Sequence, residues 1–87
     1  MLVMGTNRWE SDIPKDMLTM QALKFGEDVK SQGIAELQHF LLANEQKLLW
    51  CTWETDDLPA LEAAFTVMNQ QSGLISELTP VEDMYTK

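Results

Sequence analysis

The segment Leu48-Leu49-Trp50-Cys51-Thr52-Trp53 constrains the fold more than any other part of this chain. A strand with one wet face alternates apolar with polar residues, and this run does not. A nearly continuous apolar strand implies that both of its faces are covered. Trp50 and Trp53 stand an odd number of positions apart, so they point to opposite faces of a sheet.

The surrounding sequence supplies the cover for one face. Residues 1–6 are short and apolar and read as a first strand. Ser11 or Asp12 can accept from free amides at a helix start, and Pro14 suits a first turn. Leu18, Ala22, Phe25 and Val29 then recur at steps of four, three and four, with Met17 flanking them, as one buried helix face requires. Gly33 is placed to end that helix. Ile34 to Ala43 and Lys47 to Glu54 read as a β-hairpin around Asn44-Glu45-Gln46. With Asn44 and Glu45 as the turn, His39 falls opposite Trp50, Leu37 opposite Thr52, Gln38 opposite Cys51, and Glu54 opposite Ala35. His39 would then lie in an apolar setting that disfavours a charged imidazolium. Asp56-Asp57-Leu58-Pro59 repeats the helix-start grammar. Leu58, Leu61, Phe65 and Met68, widened by Ala64, form the second apolar stripe, which Ser72-Gly73 stops. Leu74 to Thr79 reads as a last strand, and Pro80 puts it at an edge or at its end.

The expected fold is therefore α+β: a ferredoxin-like βαββαβ sandwich in one domain spanning 1–87. It has a four-stranded antiparallel sheet with both helices on one face. Nothing in the chain remains for the other face. A second copy is the simplest cover, so a homodimer is expected.

With 87 residues, such a domain buries roughly 60–65% of its unfolded surface. One cysteine excludes an intramolecular disulfide and fits a reducing, cytoplasmic setting. No stretch approaches the ~20 apolar residues of a membrane span, and the N-terminus lacks the pattern of a signal peptide. The net charge of −8 comes chiefly from acids beyond residue 33 and repels phosphate backbones, which argues against nucleic acid.

The element order, the hairpin residues Gln38-His39-Phe40, and Leu49-Trp50-Cys51-Thr52-Trp53-Glu54 before an acidic helix start resemble a known group. They are similar to small stand-alone ferredoxin-like proteins of the dimeric α+β barrel superfamily, among them uncharacterised members and distant nickel-binding relatives. That superfamily includes monooxygenases, isomerases, haem-handling proteins and simple binders. The resemblance implies a dimer and places His39, Cys51 and Glu54 near a pocket.

Each candidate has a structural reading beside its functional one. His39 is the only histidine, and so the one side chain with an ordinary pKa near neutrality. It is a candidate acid–base group, or simply a hydrogen-bonded strand residue. Cys51 lacks the positive neighbours that activate a thiol and reads as core. Glu54, Asp56 and Asp57 suit a hard cation or an ordinary helix N-terminus. Arg8 can hold a carboxylate, or pair with Glu10 or Asp12. The methionines suit core packing or an adaptable apolar pocket.

These features favour a homodimeric domain that binds a small apolar ligand between sheet and helices or at the dimer interface. His39, Trp50, Trp53, Trp9 and Met4 are the expected ligand-binding residues. The alternatives are a cofactor-independent monooxygenase- or isomerase-like enzyme using His39, or a metal site drawing on His39, Cys51 and Glu54. No cofactor is specified by the sequence.

Overall fold

The computed structural model describes residues 1–85. Its elements are β1 (Leu2–Arg8), α1 (Lys15–Ser31), β2 (Glu36–Ala43), β3 (Leu48–Glu54), α2 (Leu58–Ser72) and β4 (Ile75–Val81). The strands form one antiparallel sheet in the order β2-β3-β1-β4. This is the expected ferredoxin-like α+β arrangement. The burial of alternate residues on β1 and β3 shows both helices covering the same face.

The two helices begin and end by different means. At α2, Asp57 caps the helix by accepting from the Ala60 amide at 3.1 Å, and Pro59 lies in the first turn. Gly73 closes it in the left-handed conformation (φ 78°), which spares a Cβ clash. At α1, neither Ser11 nor Asp12 caps the helix. Pro14 itself stands at the N-cap, without a side-chain hydrogen bond, and its carbonyl accepts from Leu18. Met17 is about half exposed and stands outside the apolar stripe, whereas Leu18 and Val29 are buried. Gly26 is also buried, where α1 crosses Leu37 and Trp53.

β1 runs on to Arg8, beyond the expected end at Thr6, because Asn7 and Arg8 stay paired with β3 on one side and β4 on the other. β4 includes Pro80. As an edge strand it tolerates a residue that cannot donate.

The hairpin register differs from the expected one. Ala43 pairs with Leu48, leaving a four-residue connection in which Lys47 takes a left-handed φ of 54°. Lys47 is held there by its side chain, which donates to the Glu10 carbonyl at 2.9 Å and pairs with Asp12 at 3.2 Å. A bulge at Gln38 then shifts the pairing again. Trp50 therefore faces Leu41 rather than His39. Thr52 faces His39, Cys51 faces Phe40, and Glu54 faces Glu36.

The core lies between the sheet and the helices. It contains Val3, Trp9, Leu18, Val29, Leu49, Trp53, Leu61 and Phe65, all buried. Phe25, Trp53 and Phe65 meet edge to face, with centroid separations of 5.6, 4.7 and 5.8 Å. That geometry brings the positive ring edge against the negative face.

Candidate functional site

The helix-covered face of the sheet has small residues at its centre. Gly5 on β1 pairs with Cys51 on β3. A Cβ at Gly5 would lie 2.8 Å from the Cys51 Sγ, so glycine is what lets the thiol fit there. Beside Cys51 is a cavity of about 30 Å³, lined by Phe25, Leu37, Phe40, Phe65 and other mostly apolar side chains. That is room for a water-sized group and little more.

A buried polar network lies beside this apolar space. Asn7 is 2% exposed. Its Nδ2 donates to the Leu49 carbonyl at 3.1 Å and to Cys51 Sγ at 3.5 Å. Trp53 Nε1 donates to the same sulfur at 3.0 Å. Ser76 Oγ stands within reach of Oδ1 of both Asn7 and Asn69, the latter at 2.9 Å. One hydroxyl hydrogen cannot serve two acceptors. The Ser76 hydroxyl donates to Asn7 Oδ1 or to Asn69 Oδ1, one at a time. The chain of contacts thus runs from α2 through β4 and β1 to β3.

Burial pushes the Cys51 thiol up from its ordinary pKa, against the downward pull of the Trp53 and Asn7 hydrogen bonds. Desolvation of a thiolate outweighs two donors, so Cys51 is a neutral thiol at pH 7. It is an acceptor and a small core residue rather than an activated nucleophile.

A larger, open cleft of about 420 Å³ lies between the helices. Gln21, Phe25 and Met68 border both the cleft and the inner cavity. The cleft has the volume of a small-molecule site; the cavity alone does not. Polar residues at the cleft include Lys24, Asp28, Gln32 and Gln71, with Val67 and Ala64 among its apolar ones.

The sheet separates the expected site residues. Trp53 is under the helices, 2% exposed, and borders the cavity. Trp50, Met4 and His39 lie on the opposite face, where Met4 neighbours Thr52 and Thr52 neighbours His39. His39 is exposed, with Nδ1 2.9 Å from Thr52 Oγ1, so the apolar setting expected for it is not present. Trp9 is buried beside Ile13, Pro14 and Lys47, at neither the cavity nor the cleft. Lys47, not Arg8, pairs with Asp12.

His39 and Glu54 are on the open face and Cys51 is on the covered one, so these three do not converge. Among the described residues no group of three or more His, Cys, Asp or Glu side chains is arranged to hold a metal. Glu54 instead pairs with the Met1 ammonium at 2.8 Å, and Asp57 is spent on the helix cap. Asn7 was not among the expected site residues. A polar side chain after an apolar run reads as a strand end, and its burial follows only from strand pairing on both sides.

No protein-family model matches the chain, and no curated protein does. It is similar to a solved structure described as "Structural Genomics, protein YJCS", with a TM-score of 0.55 and 16% identity. The match covers 87% of this chain and 94% of that one. At that identity the likeness is one of fold. Among the described residues no helix is long and apolar enough to cross a membrane.

Proposed function

We propose that this chain is a homodimeric ligand-binding domain of the dimeric α+β barrel kind. It takes a small, largely apolar molecule through the interhelical cleft toward the cavity between helices and sheet. The observation that carries this reading is the small cavity in the core beside Cys51. A single-layer core with only a structural purpose gains from filling such a gap, at ~1 kcal/mol for a methyl-sized void. Here the cavity is retained, and Gln21, Phe25 and Met68 line both it and the open cleft.

The pairing half of the proposal rests on the opposite face. Leu41 is 61% exposed and Ile75 45%, with Trp50, Leu48 and Met4 half-buried on the same side. A sheet-to-sheet dimer removes this surface from water and supplies the second cover that the β3 sequence calls for. A reduced, buried Cys51 supports a reducing, cytoplasmic setting.

Native mass spectrometry of the purified protein tests both halves. The expected result is a dimer carrying a small molecule, or one that takes up a flat apolar probe such as 2-ethylnaphthalene. A monomer that binds no apolar probe would refute the proposal.

A further inference from the structure

The inner cavity offers about 30 Å³, and its surface is almost wholly apolar. Asn7 borders it, yet its carboxamide is engaged elsewhere. Nδ2 donates to the Leu49 carbonyl, and Oδ1 is in reach of the Ser76 hydroxyl. A water needs several polar partners, which this surface does not offer. The group that fits is apolar and about the size of a methyl, so a ring is too large for it. Gln21, Phe25 and Met68 line both this cavity and the open cleft, but they are not equally free to move. Gln21 is exposed, with its carboxamide able to turn to water. Phe25 is held edge to face by both Trp53 and Phe65. Met68 is half-buried, unbranched and flexible. The Ser72 hydroxyl donates to its sulfur at 3.4 Å, a weak tie, and Ser72 stands at the cleft.

We propose that the cavity seats the end of an unbranched alkyl group, and that Met68 is the plug a ligand displaces to put it there. This rests on the ligand-binding reading above and narrows the ligand to an apolar body with a slim, straight alkyl end. The body occupies the cleft, whose volume of about 420 Å³ suits a small molecule. The alkyl end takes the place of the Met68 side chain beside Phe25, and its methyl enters the cavity. One flexible apolar chain replaces another of similar width, so little packing is lost in the exchange. A branched end meets Phe25, which cannot yield without leaving the two rings that hold it. A polar end finds no free partner inside and is disfavoured.

The test compares naphthalene, 2-ethylnaphthalene and 2-tert-butylnaphthalene, with affinities measured calorimetrically on the full chain. The ethyl compound should bind about tenfold more tightly than naphthalene, the scale of burying two further carbon atoms. The tert-butyl compound is the most apolar of the three and should nevertheless bind no more tightly than naphthalene. Met68→Ala removes the plug and should let the tert-butyl compound bind about as tightly as the ethyl one. Ala22 lines the cavity but not the cleft. Ala22→Val fills the seat and should bring the ethyl compound down to the affinity of naphthalene, and it decides the matter should Met68→Ala fail to fold. A wild type that prefers tert-butyl to ethyl, or an ethyl preference that survives Ala22→Val, overturns the seat and leaves the ligand-binding reading in place. An unchanged order of the probes in folded Met68→Ala overturns the plug. Binding of none of the three overturns the ligand-binding reading as well.

Discussion

The two faces of the sheet are made from the same strands and have opposite characters. On β3, Leu49, Cys51 and Trp53 enter a closed core, while Leu48, Trp50 and Thr52 look outward half-buried. The covered face holds the buried amide of Asn7, the close packing of Cys51 on Gly5 and a network in which no buried side-chain nitrogen or oxygen of the described residues lacks a partner. The open face holds larger apolar groups and His39, all within reach of water. A strand buried on both faces within one chain would look the same in sequence. Hydrophobicity shows that a face is covered, but only the fold shows which face the chain covers for itself.

The comparison is broken most severely on the covered face. Phe65→Ala deletes a buried ring that contacts both Phe25 and Trp53 edge to face. It should cost ~3–5 kcal/mol in urea unfolding, enough to unfold much of so small a domain. An unchanged midpoint would mean that the aromatic cluster does not hold the helices down.

Gly5→Ala sharpens the comparison at its centre. The new methyl would stand 2.8 Å from Cys51 Sγ, so one of them must move. Overpacking of this kind costs ~1–3 kcal/mol. Cys51→Ala should relieve it, and the double variant should be more stable than the two single losses predict. Strictly additive losses would place the crowding elsewhere.

On the open face the same size of change should scarcely affect folding. Leu41→Asp alters a side chain already 61% exposed, so the isolated subunit should lose only about 0.5 kcal/mol or less. Its effect should appear in sedimentation instead. Placed against Trp50, an aspartate in the proposed interface should shift the dimer toward monomer. A dimer that persists unchanged would put the contact surface elsewhere.

How much of this was legible in the residues differs by region. The helix stripes were, because Leu61 and Phe65 recur with the period of a helix whose other side is polar. The division between Trp50 and Trp53 was legible for the same reason, since a strand alternates. The hairpin register was not. It depends on Lys47 entering a left-handed conformation and on a bulge at Gln38, and a non-glycine residue gives no local sign of either. That slip moved His39 away from Trp50 and into solvent. Asn7 was missed because its surroundings come from residues far along the chain, Leu49, Cys51 and Ser76. Cys51 was read correctly as core, but its two donors were not foreseen, since one arrives from another strand and the other from a side chain two residues away.

The smallest effect concerns Cys51 and pH, and its sign follows from the covered face alone. Burial raises the folded-state pKa of the thiol above its unfolded value, with the Trp53 and Asn7 hydrogen bonds opposing but not cancelling the shift. Below the unfolded value of about 8.5 both states hold the proton, and Cys51 adds no pH dependence. As pH rises through that value the unfolded chain releases its proton while the folded chain keeps it. The unfolded state is then favoured, so stability present at neutral pH is lost as pH climbs from the unfolded toward the folded pKa. Urea midpoints measured from pH 7 to pH 10 should therefore decline, and Cys51→Ala should flatten that decline relative to its own value at pH 7. The two proteins differ only at this side chain, so the difference between the two slopes isolates the thiol. If the wild-type slope were no steeper than that of Cys51→Ala, the two donors would be holding a thiolate as well as they hold a thiol. The face that looks closed would then be polar enough to accept a charge.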